Sequence, residues 1–171
     1  MADWITHDHP DLLTGTRAEA VFTLGYSRDR MLHALGQLSE QRLWWRPHES
    51  MNAAGNVVLH VCGNLLQWIV VGVGRGGQGD ERDRPGEFAV RGGHTVEQLS
   101  TQLRATVAEA IDVIETVDGA ELLRARHVQI GSVTGLGAIW HSVAHLEGHA
   151  QEMIYLTRLQ LGDAYRFKDV Y

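Results

Sequence analysis

Apolar residues recur at helical spacing in four stretches of the chain, and no stretch carries a convincing strand alternation. From about Thr14 to Leu38, the residues Val21, Leu24, Met31, Leu35 and Leu38 lie three, four or seven positions apart and share one stripe. The run from Ser39 to Pro47 closes this segment, because Pro47 disfavours helical backbone at Arg46. A second helix is predicted from about Ala53 to Val73, with Ser50 or Asn52 as its N-cap. It is apolar on nearly every side, so neighbours should enclose it on several faces. Its few polar residues, His60, Asn64 and Gln67, are therefore informative.

Between Gly72 and Gly93 the composition turns to glycine and charge, with Asp80-Glu81-Arg82-Asp83-Arg84 ahead of Pro85. This stretch, about residues 72–94, reads as a long exposed loop. It includes a formal GxGxxG, Gly72-Val73-Gly74-Arg75-Gly76-Gly77. A dinucleotide site needs that pattern after a strand and at the start of a helix, whereas here it follows a helix and opens a loop, so it reads as a linker. A third helix begins at the capping box Thr95-Val96-Glu97-Gln98 and carries the stripe Leu99, Leu103, Val107, Ile111, Ile114 and Val117, with Gly119 as its stop. Residues Arg126 to Ser132 are briefly extended. A fourth helix runs from near Thr134 to Leu161, ended by Gly162. Four helices, one of them apolar nearly all round, predict an all-α four-helix bundle in a single domain spanning 1–171.

Composition narrows the function classes. A 44% hydrophobic and 21% charged chain of 171 residues is an ordinary globular one rather than a disordered or fibrous one. With a net charge of -6 and Lys168 as the only lysine, there is no cationic surface for nucleic acid. The most apolar stretch, Val57 to Val73, reads as too short and too polar for a membrane span. Cys62 is alone, which excludes an intrachain disulfide and a thiolate-rich zinc site. No secretory signal is visible at the N-terminus, and the cytoplasm is the expected setting.

Candidate chemistry lies on the second and fourth helices. His141, His145 and His149 are four residues apart, and residues at i and i+4 project from one helix face. Two imidazoles at that spacing can converge on one ion, with bonds of roughly 2 Å. The third ligand must come from another helix, and His60 in the most buried segment is the natural candidate. Three neutral histidines leave a divalent ion its positive charge and an open coordination position, the catalytic rather than the closed structural arrangement. His141 is open between a fourth ligand, a hydrogen-bonding partner outside the ligand set and a solvent-facing neighbour; a non-ligand role is favoured, with Asn64 as a second outer partner. The Glu-x-x-His pairs of di-iron bundles and the His-Glu-x-x-His of zinc proteases are both absent.

Three stretches resemble the DinB-like superfamily, which includes YfiT-type metal-dependent hydrolases and bacterial thiol-dependent S-transferases. They are Leu38 to Pro47, Asn56 to Asn64 around His60, and His145 followed by His149-Ala150-Gln151-Glu152. The resemblance implies an up-down-down-up four-helix bundle, a divalent metal (commonly zinc or nickel) on His60, His145 and His149, and often a homodimer. It also implies transfer chemistry on a small molecule with a low-molecular-weight thiol such as bacillithiol or mycothiol. The sequence departs from the family where Gln151-Glu152 replaces the usual Gly-Gln, and in its long glycine-rich loop.

Two functional classes follow, and a bundle without metal is a third, weaker one. In the first, the chain is a metal-dependent transferase or hydrolase; a hydrolase needs a general base, for which Glu152 is better placed than Glu147. In the second, the metal stabilises a non-catalytic binding or regulatory module. Cys62 lies two residues from His60, about 200° around the helix, and is expected to be a buried, inert thiol.

Overall fold

The computed structural model describes residues 8–77, 81–129 and 131–167. Helix α1 spans Leu12–Leu35, where the Asp11 carboxylate accepts from the Thr14 amide at 2.8 Å and so satisfies one of the free donors of the first turn. A short α2, Glu40–Leu43, follows from an N-cap at Ser39. Helix α3 covers Ala54–Leu65 and continues without a break as a π-helical stretch over Leu66–Arg75. Neither Ser50 nor Asn52 caps it. The N-cap is Ala53, and its amide is satisfied instead by the Asn56 side chain at 3.2 Å.

Helix α5, Val96–Thr116, starts on the expected capping box: Gln98 N–H donates to Thr95 Oγ1 and Thr95 N–H to Gln98 Oε1. It ends ahead of Gly119, which instead opens a five-residue α6, Gly119–Leu123, capped by Asp118. The briefly extended region is an antiparallel hairpin of β1, Ala125–Val128, and β2, Gly131–Thr134. Helix α7 then runs over Gly135–Leu161, with Thr134 as N-cap and Gly162 past its end at φ 52°.

The four long helices form an all-α bundle. α1 packs on α5 and α7, while α3 with its π-helical continuation packs on the same two from the other side. Side-chain contacts give the directions. Arg30 approaches Glu147 and His33 bonds to the Arg166 carbonyl, so α1 and α7 run parallel. Residues 60, 64 and 68 meet 145, 141 and 141 in turn, so α3 and α7 are antiparallel. Trp44 reaches His94 ahead of α3 and α5, and Arg75 reaches Glu109 at their far ends, so these two are parallel. The order is up-down-down-up. Its core includes Leu24, Met31, Leu35, Leu65, Trp68, Ile69, Leu103, Ile114, Leu146 and Met153.

Two parts of this architecture differ from the sequence reading. Helix 54–75 is 22 residues long, and by length and composition it is apolar enough to cross a membrane; 72% of its most apolar window is buried inside the bundle, which accounts for that composition. The stretch from 72 to 94 is not simply an exposed loop. Its first residues finish the π-helical turn, with Gly72 and Gly74 letting Val128 and Val113 pack close, and Gly76 closes the helix at φ 68°. A further helix, α4 over Arg84–Ala89, forms beyond it from an Asp83 N-cap, with Pro85 in the first turn where its missing N–H does no harm.

Candidate metal centre

His60 on α3 and His145 and His149 on α7 come together, and one ligand atom from each lies within 4.8 Å of the others. His60 Nε2 and His145 Nε2 are 3.1 Å apart, and the His145 and His149 ring centres are separated by 4.4 Å. Two nitrogens each roughly 2 Å from a shared ion are about 3 Å apart, so the spacing suits a common ligand role.

Hydrogen bonding sets which nitrogen is free. His60 Nδ1 lies 2.9 Å from Glu87 Oε2, and His149 Nδ1 lies 2.5 Å from Glu152 Oε2. A carboxylate only accepts, so both Nδ1 atoms carry a proton toward it and both Nε2 atoms are turned to the cluster. Carboxylate, imidazole and ion in line is the usual arrangement around protein-bound zinc. His145 has no such partner, and its Nδ1 is a buried polar atom without a hydrogen bond. Burial pushes the His145 pKa down to about 3, with the charges of His149, His60, His141 and Arg82 acting in the same direction. At neutral pH it is an uncharged imidazole with a lone pair to give. The residues present fit a divalent ion.

Glu87 and its neighbour Arg82 are the site residues that sequence reasoning missed. Arg82 donates Nε–H to Glu87 Oε1 at 2.6 Å, and its remaining nitrogens reach Glu87 Oε2, Gln67 Oε1 and the His60 carbonyl. Both side chains are nearly inaccessible, at 7% and 11%. Burial raises the Glu87 pKa, but the hydrogen bonds from Arg82 and His60 and their charges outweigh it and leave the carboxyl below its ordinary value. Phe88, the next residue on α4, packs its ring 4.7 Å from that of His60.

The polar stripe of α3 explains how α4 reaches the site. Asn56, His60, Gly63 and Gln67 lie at helical spacing along the side that meets residues 82–90. Asn56, fully buried, donates to the carbonyls of Glu87 and Val90 and accepts from Arg46. At Gly63, a Cβ would stand 2.0 Å from Glu87 Oε1 and 2.8 Å from Arg82 Nε, so only glycine leaves room for the ion pair. A proline after Asp83-Arg84 was the available sign of a helix start, but nothing in the charge run marked two of its members as buried.

The other candidates fall into place around this centre. His141 stacks on buried Trp68 at 4.0 Å, and its Nε2 lies 3.4 Å from Asn64 Nδ2, so it stands beside the three-histidine cluster rather than in it. Glu152 is engaged with His149. Cys62 is buried, and burial pushes its thiol up to about 12, which makes it inert as expected.

These shifts give a pH dependence to the metal-free protein. His145 and His141 are held below their ordinary 6.5, so between 6.5 and the folded values the unfolded chain binds protons that the folded chain refuses. Stability therefore falls as pH drops below 6.5, and Glu87 adds to the loss further down, through its own lowered value. Discounted for partial exposure of the His145 ring, the loss by pH 5 is about 1 kcal/mol, or about 2–4 °C in Tm. A Tm unchanged between pH 7.5 and 5 would contradict the burial assigned to the His145 ring.

Residues 17–170 match the family described as "Protein of unknown function (DUF1572)". The chain belongs to the DUF1572 family. A comparison with curated proteins gave no match. Among solved structures, the "Crystal structure of the conserved protein of locus from Enterococcus faecalis" is similar, with a TM-score of 0.69 and 17% identity over 85% of this chain and 96% of that one. At that identity the likeness concerns the fold alone. The three-histidine cluster of this DUF1572 member therefore rests on its own geometry.

Proposed function

We propose that this DUF1572 protein is a DinB-like metal-dependent enzyme whose His60, His145 and His149 hold one divalent ion, zinc or nickel, and that it transfers a low-molecular-weight thiol to a small electrophilic substrate. The observation that carries the reading is the donor set: three imidazoles and no fourth histidine, cysteine or carboxylate in the cluster among the described residues. Such a set leaves a coordination position open. When bound, the ion supplies Lewis acidity that lowers the pKa of a thiol or water at that position. The chain's own residues hold the imidazoles in register: Glu87 and Glu152 keep their protons on Nδ1, and Phe88 covers the His60 ring.

One specific observation favours thiol transfer over hydrolysis. Both carboxylates next to the cluster are engaged, Glu87 with Arg82 and His60 and Glu152 with His149, so neither is free to serve as general base for water. The reading includes a cytoplasmic setting, a homodimer, and no nucleic-acid or membrane partner. A non-catalytic module stabilised by metal is the competing class.

Cobalt substitution separates them. A transferase site should change its visible spectrum on addition of a thiol in the millimolar range, with one thiol bound per cobalt. A cobalt spectrum indifferent to every thiol tried would leave the module reading.

A further inference from the structure

The segment 81–90 has an organisation that metal ligation by three histidines does not require. It crosses the outside of α3 and is pinned at two places. At one end Arg82 reaches Gln67 Oε1 at 3.0 Å and the His60 carbonyl at 3.1 Å. At the other, the Val90 carbonyl accepts from both Asn56 and Arg46, and the Glu87 carbonyl from Asn56. Between the pins, Glu87 faces His60 Nδ1 with Arg82 filling its remaining acceptor sites.

We propose that segment 81–90 is a metal-responsive strap: Glu87 is a positioning residue for His60, Arg82 positions Glu87, and ion binding and docking of the strap stabilise each other. This rests on the metal-site reading given above. The charges of Glu87 and Arg82 cancel, so the carboxylate acts by direction rather than by attracting the cation. With Glu87 in place the His60 proton is confined to Nδ1 and the Nε2 lone pair is turned toward His145 and His149. With the strap undocked, His60 Nδ1 loses both of its described polar contacts, Glu87 Oε2 and Arg82 Nη2, and with them the one acceptor that holds its proton there. Because the coupling is reciprocal, a docked strap raises the affinity for the ion by the factor by which the ion favours docking.

Two variants and one exchange measurement test this. Glu87→Gln cannot accept at both ends, so it should lower zinc affinity by about 10–100-fold with the stoichiometry of one ion retained. Gly63→Ala removes no polar group, but its methyl must displace Glu87 and Arg82. Displacing that buried pair should lower the Tm of the metal-free protein and also lower zinc affinity by about tenfold or more, with the stoichiometry of one ion retained. A merely structural role for the pair predicts the lower Tm with zinc affinity unchanged. Hydrogen exchange followed by mass spectrometry should show amides of residues 84–90 slowing when zinc is added to the natural protein, and slowing less in Gly63→Ala. Stoichiometric zinc binding with unchanged affinity in both variants, or with exchange in 84–90 indifferent to zinc, would overturn the strap. Absence of zinc binding by the natural protein would instead overturn the metal site on which it rests.

Discussion

Exchanging His145 for alanine is expected to abolish stoichiometric metal binding while leaving the chain folded. His145 is the member of the triad that burial keeps uncharged, and its Nε2 lies 3.1 Å from His60 Nε2. Removing it leaves one nitrogen on each of α3 and α7. At about 3–4 kcal/mol per ligand in a protein zinc site, affinity should fall by a factor of about 10²–10³. The fold should survive, because the lost ring takes with it a buried nitrogen that has no hydrogen bond. Elemental analysis of untagged protein gives the answer: about one ion per chain before the change and a small fraction after it. Full occupancy in His145→Ala and in His60→Ala would show that the ion sits elsewhere.

The second large effect is expected at Asn56, which touches no proposed ligand. Asn56→Ala removes a fully buried amide that makes four hydrogen bonds, to Ala53, Arg46, Glu87 and Val90. It also strands the Ala53 amide in the first turn of α3. Losing buried partners of this kind, one of them charged, destabilises by about 2–4 kcal/mol. For a chain of this size that is about 5–15 °C in Tm. Thermal unfolding of the metal-free protein measures it directly. A shift below about 2 °C would mean that the Asn56 network is replaceable by water, and that α4 is held mainly by the Arg82 end.

The bundle and the pair His145 and His149 were legible in the sequence for the same reason. Both are carried by the helical period, which puts Leu99, Leu103 and Val107 on one stripe of α5 and His145 and His149 on one face of α7. His60 stood out instead as a polar residue in an apolar helix. Caps with a dedicated side chain, such as Thr95 with Gln98, were also readable. What the period does not encode was missed. The cap of α3 works through Asn56 three residues inside the helix, so Ser50 and Asn52 drew attention away from Ala53. The π-helical turns from Leu66, which pack against α5 and α7, have no signal in residue propensity. Arg82 and Glu87 sit in a charge run that normally belongs to solvent, and only the tertiary position of Gly63 reveals where the pair is buried. Glu152 was visible as a neighbour of His149, but its engagement with Nδ1 depends on rotamers that spacing alone does not give.

The pinning of residues 82–90 at both ends also sets where this chain can change length. Arg82 and Val90 behave as the supports of a beam, and the distance between them is measured out by one short helix. A residue inserted inside α4 ahead of Glu87 would turn that carboxylate by about 100° around the helix axis, off His60 and into solvent or the core. The length of the segment between the two supports is thus fixed by the chemistry of His60.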